Sequence, residues 1–409
     1  MEFLKVDSVQ AAREKLLGST GAWLGAREHV PLQLAPGRIL AEDVFAGEDV
    51  PAFRRSTVDG YAVCSADTAA AGEGVPAFLS VAGQVEMGCA AHFSIAGGQC
   101  AEVATGGMLP GGADAVLMVE YTEPFGEGGI AVYGSVSNGE NVVQIGDDAQ
   151  ANSLLLRRGK RILPKDIGAL VAVGVTQLSV YRKPRLSIIS TGDELIEPGR
   201  APLPGQVRDI NTGALTALAQ GNGLEVASTA VLPDDEHALE AAIREAIRHS
   251  DIVAVSGGSS QGKKDMTRAL FDKVAAPGVF THGLAVKPGK PTILGCDDAT
   301  RTVLVGLPGH PVAALMMFEL LVVWLLREVT GCPPPPGIPA RLTCNVAGAP
   351  GKLSCWPVQL TWDGECYTAR PIFGKSGLIT TLASADGYFT SERDTEGLSA
   401  WQTVLVHLF

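Results

Sequence analysis

Three groups of residues in this sequence have the types and spacing to do chemistry on an anion. The first is the stretch Asp251 to Thr267, DIVAVSGGSSQGKKDMT. Its β-branched run Ile252 to Val255 predicts a buried strand that stops at Ser256-Gly257-Gly258. Adjacent glycines permit positive φ and let the backbone approach a ligand, while Ser259, Ser260, Lys263 and Lys264 supply donors suited to an anion. Asp265 then opens a helix over Met266 to Val274. A strand, an anion loop and a carboxylate at a helix start are what open α/β sheets use to hold ligands. These residues fit equally well a plain Gly-Gly turn with Asp265 as an N-cap.

The second group is acidic. Asp193 and Glu194 follow a strand-like run, as do Asp234 and Asp235, and carboxylates beside an anion loop suit a magnesium ion that neutralises a phosphate ligand. The competing reading is helix capping, expected of at least one of Asp234 and Asp235. The third group is a pair of loops. Lys287-Pro288-Gly289-Lys290-Pro291 sets two lysines in a stiff, tight backbone, more Pro/Gly than a solvated charge pair needs. Gly306-Leu307-Pro308-Gly309-His310-Pro311 lies between a strand at Val303 to Val305 and a helix from Val312. Pro311 suits a first helical turn, and the loop before it can present backbone N–H groups.

The elements that must position these groups follow from periodicity. From Arg182 the chain alternates: strand Leu186 to Ser190, helix Asn211 to Gln220, strand Leu224 to Val231, helix Ala238 to His249, strand Ile252 to Val255. This predicts a mainly parallel, doubly wound sheet whose strand-end loops converge on one crevice. Before it, Val6 to Leu17 has helix-like apolar spacing, Val30 to Leu34 reads as a strand, and Ile162 to Val173 returns to a helical pattern. Residues 46–148 are glycine-rich with short alternating β runs. Within them Ser56-Thr57-Val58-Asp59-Gly60-Tyr61-Ala62 reads as an Asp-Gly turn between strands. Thr105-Gly106-Gly107 begins a second glycine-rich loop, and Ile145-Gly146-Asp147-Asp148 closes the segment. The expected domains are 1–45 with 149–182, a β-rich insert at 46–148, an α/β domain at 183–331, and a small β-barrel-like domain at 332–409 behind the stiff Cys332 to Gly337 linker.

At 409 residues the chain calls for several cores, and a net charge of −12 argues against general nucleic-acid binding. The longest apolar stretch, Val312 to Leu326, is short for a membrane span and contains Glu319, so it reads as a core helix. The N-terminus lacks a signal-peptide pattern. Eight cysteines show no CxxC or zinc-ligand spacing and seven histidines no HExxH, which predicts reduced thiols, a cytoplasmic location and no histidine metal site.

In order along the chain, STVDGYA, TGGMLPGGADAV, STGDEL, SGGSSQGKKD, KPGKP and GLPGHPV resemble the motifs of the molybdopterin molybdenumtransferase family, which includes MoeA and the gephyrin E domain. The resemblance spans nearly the whole chain and implies a four-domain, elongated, dimeric subunit whose third domain is similar to molybdopterin adenylyltransferase. The N-terminal unit would then be the dimerisation domain. It implies insertion of molybdate into the dithiolene of adenylylated molybdopterin with release of AMP and molybdenum cofactor, and a requirement for magnesium. The adenylyltransferase and cofactor-accepting enzymes are the further partners it suggests. Carried over residue by residue, functional positions fall on Asp59, Thr105, Asp148, Glu194, Asp234, Asp265, Lys287, Pro308, Pro311 and Ser376. Ser256, Gly257, Gly258, Ser259 and Lys290 join them from the loops above. Asp265 and Glu194 are the expected metal ligands and, with Asp59, the expected catalytic residues. Asp59 and Thr105 would reach the crevice across a dimer. Gly283 and Pro357 stand where some members carry a basic residue, and His310 replaces an Asn. The alternatives are a molybdopterin adenylyltransferase-like enzyme and a non-catalytic scaffold of the same fold.

Overall fold

The computed structural model describes residues 6–257 and 264–409. Gly258 and Ser259 therefore lie outside the described residues, as does the side chain of Asp265. The first helix is Val9–Thr20, three residues later than apolar spacing alone suggests, because Ser8 caps it by accepting the Ala11 N–H at 3.0 Å. Its buried Val9, Ala12 and Leu16 join the core of the later α/β unit. Arg27–Pro31 pairs antiparallel with Gln177–Tyr181, and Val44–Phe45 with Leu154–Leu156, so the chain on either side of the insert is stitched together. Leu32–Leu34, expected to continue a strand, is a single 3-10 turn.

The insert holds a six-stranded sheet in the order Ala115–Met118, Gly60–Val63, Gln99–Val103, Ala77–Val85, Gly129–Val132, Thr122–Phe125. Both faces are covered. Ala62, Ala101 and Val116 point into one cluster and Val63, Cys100, Ala115 and Leu117 into another, the period of two that a pleated sheet imposes.

The α/β unit is also built on six strands, ordered Glu225–Leu232, Arg185–Thr191, Ile252–Gly257, Thr302–Leu307, Ile293–Asp297, Pro277–His282. The first four are parallel, and the last two add antiparallel at one edge. Leu186, Ile188, Ile252, Ala254, Val303 and Val305 face helix Asn211–Gly221 and the apolar helical stretch beyond Pro311. Ile189, Val253, Val255 and Leu304 face helices Glu236–Ile247 and Lys264–Val274. Three layers result. The apolar segment after Pro311 runs as α-helix to Met317, a π turn over Phe318–Val323 and α-helix again to Thr330, buried nearly all round. Among the described residues no helix is long and apolar enough to cross a membrane.

The C-terminal unit closes five strands into a barrel: Leu353–Trp362, Tyr367–Pro371, Ile338–Leu342, Thr403–Leu408 and Gly387–Ser391, the last pairing back onto the first. Val286–Lys287 adds to it in parallel, opposite Leu353 and Ser354. That short pairing brings the Lys-Pro-Gly-Lys loop of the α/β unit against the barrel. All eight cysteines are unpaired.

Candidate functional site

At the carboxyl ends of the parallel strands, register sets Thr191 beside Gly257 and Ser256 beside Leu307. Gly257 has φ +133°, and a Cβ there would collide with the Thr191 carbonyl, so glycine is obligatory where these two strands end. Ser256 is fully buried. Its Oγ accepts from Asn211 Nδ2 at 2.6 Å and donates to the Pro308 carbonyl at 3.3 Å, while Asn211 Nδ2 also donates to the Gly309 carbonyl at 3.0 Å. Asn211 thus ties three strand-end loops together at the start of its helix. Its buried Oδ1 has no hydrogen-bond partner among the described residues. Local sequence marks Asn211 only as a helix start, since its partners are 45 and 98 residues away.

The acidic residues divide their roles here. Asp235 is the N-cap, accepting the Ala238 N–H at 2.8 Å. Asp234 accepts from the Thr191 hydroxyl at 2.8 Å and donates its own N–H to Asp193 at 3.0 Å. The Glu194 carboxylate folds over Gly192, 2.8 Å from where a Cβ would stand, so a side chain at 192 would displace it. Among the described residues no group of three His, Cys, Asp or Glu could hold a metal ion by itself. Helix Lys264–Val274 begins one residue before Asp265, which places Asp265 inside the first turn rather than at the cap position expected from sequence.

Pro308 and Gly309 lead from this crevice to a cleft of about 870 Å³ between the α/β unit and the barrel. Among the described residues four lysines line it, Lys287, Lys290, Lys352 and Lys375, and no acidic side chain does. Gly289, at φ +120°, turns the chain between the first two and packs on Met317, and its carbonyl accepts from buried Thr292 Oγ1 at 2.7 Å. On the far wall stand Trp356 and Phe373, edge to face with centroids 6.0 Å apart. Cys355 also lines the cleft, and burial pushes its thiol up to about 12, so it stays protonated and uncharged. Ser376 joins the cleft through two bonds to the α/β unit: its carbonyl accepts the Val312 N–H at 3.2 Å and its Oγ meets His310 Nδ1 at 2.8 Å. The N–H of Val312 is therefore already occupied. Pro311 is buried as the first helical residue and does not line the cleft. Lys352, Lys375, Trp356 and Phe373 were not singled out from sequence, because they lie in barrel turns and strands whose alternation looks like that of any β-domain.

Asp59 is exposed at the start of the Gly60–Val63 strand. The bend before it joins strands that pair elsewhere, not with each other. Its Oδ1 accepts from the Thr105 N–H at 2.7 Å and the Thr105 hydroxyl at 2.9 Å, and these bonds hold its carboxyl below the usual range. Asp148 is exposed at the return of the insert, its N–H bonded to the Val50 carbonyl at 2.9 Å. None of Asp59, Thr105 and Asp148 lines the lysine cleft of its own chain.

Three family models match the chain in series: the MoeA N-terminal region (domain I and II) over residues 7–174, a probable molybdopterin binding domain over 187–328, and the MoeA C-terminal region (domain IV) over 339–409. The molybdopterin molybdenumtransferase of Haemophilus influenzae is 31% identical over 93% of this chain and 94% of its own. That of Bacillus subtilis is 32% identical over 94% of this chain and 90% of its own. The crystal structure of a molybdopterin biosynthesis MoeA protein from Pyrococcus horikoshii superposes with a TM-score of 0.84 at 30% identity, covering 99% of this chain and 100% of that one. With a relative 31% identical over 93% of the chain and the three regional models in the same order, the chain belongs to the MoeA family of molybdopterin molybdenumtransferases.

Proposed function

We propose that this protein is a molybdopterin molybdenumtransferase that inserts molybdate into adenylylated molybdopterin and releases AMP and molybdenum cofactor. The observation that carries the reading is the cleft, which among the described residues has four lysines and no carboxylate, in a chain of net charge −12. A local excess of positive charge of this kind suits an anionic substrate, and the substrate here has both a pyrophosphate and an oxyanion to bring in. Water attacks one phosphorus, the bridging P–O bond breaks, and AMP departs. The two dithiol protons leave with one molybdate oxygen as water while both sulfurs bond the metal.

In this reading Lys287, Lys290 and Ser376 hold the anion, with Pro308 shaping the wall and Pro311 setting the helix behind it. Ser256 and Gly257, with Gly258 and Ser259 beyond them, belong to the pyrophosphate loop. Glu194 and Asp265 would hold Mg²⁺, and Asp234, bonded to Thr191, would bind substrate. These are carboxylate oxygens of the hard type that ion takes, and Mg²⁺ would supply charge neutralisation at the phosphates. Asp59, Thr105 and Asp148 complete the site from a second subunit. The homodimer is supported by large exposed apolar side chains in the interrupted N-terminal unit, among them Leu34, Leu163, Val171 and the cross-strand partners Phe45 and Leu154. We place the division at 1–45 with 149–182, 46–148, 183–331 and 332–409, and the protein in the cytoplasm, handing its product to cofactor-accepting enzymes after an adenylyltransferase has supplied the substrate. Purified protein incubated with adenylylated molybdopterin, Mg²⁺ and either molybdate or tungstate should release AMP. Absence of release with both oxyanions would overturn the assignment.

A further inference from the structure

We infer that His310 is a positioning residue of the lysine cleft, fixing the Ser376 hydroxyl so that the pair presents one directed donor to an oxygen of the bound anion. This rests on the reading of the cleft as the anion site and adds a residue that reading leaves without a role. The backbone of His310 is held by the helix that follows it. Pro311 fixes the first helical residue after it, and its own carbonyl accepts the Ala314 N–H at 2.9 Å. Its side chain meets Ser376 Oγ through Nδ1 at 2.8 Å, and both residues line the cleft with Lys290 and Lys375. Together with the bond from Val312 N–H to the Ser376 carbonyl at 3.2 Å, this ties the barrel loop around Ser376 to the helix start by one side-chain and one backbone contact.

Counting hydrogens gives the pair its function. A neutral imidazole carries one N–H and the serine one O–H, and the contact between them consumes one of the two. If Nδ1 donates, the hydroxyl hydrogen is released toward the cleft. If Nδ1 accepts, the remaining N–H sits on Nε2. Either way one donor is left, fixed in direction by the contact. Lysines supply charge on flexible stems without direction, so a directed donor is what the four of them lack. Leucine or alanine at 310 would leave the serine free to rotate and the loop tied only through its backbone.

The test uses the full-length protein with molybdate alone and AMP alone as probes, by calorimetry, in wild type, His310→Ala, His310→Gln, Ser376→Ala and the His310→Ala/Ser376→Ala pair. Wild type is expected to bind at least one probe, and which one identifies the anion as free oxyanion or nucleotide phosphate. Each alanine variant should bind that probe roughly tenfold more weakly, with His310→Gln between, and the double variant no more weakly than the weaker single. In wild type the ¹⁵N resonances of the His310 ring should move when the probe is added, a response that a purely structural contact would not show and that needs no variant. Additive losses, unchanged binding in the single variants, or unmoved ring resonances would overturn the inference while leaving the cleft as the anion site. Binding of neither probe by wild type would overturn both.

Discussion

At the residue scale, what distinguishes the proposed roles is whether a group acts on bound substrate or only on its passage to the transition state. Lys287 sits exposed at the end of a two-residue strand in the cleft and offers a point charge to an anion in ground and transition states alike. Lys287→Ala should therefore raise KM with kcat little changed. A collapsed kcat at constant KM, from steady-state AMP release, would reverse that role. Asp265→Asn should behave oppositely. Because Asp265 lies in the first helical turn, losing its charge there should cost about 0.3–1 kcal/mol of dipole interaction, a small shift in Tm. Activity should fall steeply while adenylylated molybdopterin still binds. Full activity in this variant would remove Asp265 from the mechanism. Asp59 differs again, since its carboxyl is held low by two bonds from Thr105. A depressed folded value means that these bonds stabilise the fold above the unfolded aspartate range of about 3.9 and are lost as pH falls through the folded value. Thr105→Val, which removes one bond, should move the Asp59 carboxyl titration upward in an NMR experiment. No movement would show that the backbone bond alone sets it.

At the element scale, the parallel strands were legible because β-branched runs bounded by glycine and acidic loops seldom fold into anything but buried strands. Ile252–Gly257 and Arg185–Thr191 lie where those runs predict, each longer by two residues. The antiparallel edge, Pro277–His282 and Ile293–Asp297, was not legible. Pro, Gly and Cys dilute both strands, and their partners are set by tertiary packing rather than local pattern. The π turn at Phe318–Val323 is invisible for a related reason: a run that is apolar except for Glu319 has too little phase to reveal an inserted residue. The Lys-Pro-Gly-Lys loop was legible as a loop, but its attachment to the barrel was not. Gly289 shows what that attachment demands. Alanine there would need φ near +120° and would drive its Cβ into Met317. Gly289→Ala should cost about 1–3 kcal/mol in chemical denaturation and weaken anion binding by displacing both lysines. Measured against Met317→Ala alone, which empties part of the core, Gly289→Ala should cost less than it does in wild type, the difference being the steric part, and the backbone strain should remain. No remaining cost would show that the strained φ contributes nothing.

At the scale of the whole molecule, the described chain separates the groups its motifs suggest should act together. Asp59 and Thr105 sit in the insert, and neither lines the cleft where Lys287, Lys290 and Ser376 meet. Sequence order cannot reveal this, since spacing along a chain says nothing about which subunit faces which. A composite site makes a quantitative prediction. Mix Asp59→Asn with Asp265→Asn protein under conditions where subunit exchange is shown to occur. Random pairing makes half the dimers mixed, and each mixed dimer has one site with both changes and one with neither. An equimolar mixture of two inactive proteins should then regain about a quarter of wild-type AMP release. If each site were built within one subunit, every site in a mixed dimer would carry one of the two changes, and exchange would restore nothing. Recovery well above background thus places Asp59 and Asp265 in one site across the interface, and exchange without recovery removes the shared site from the mechanism.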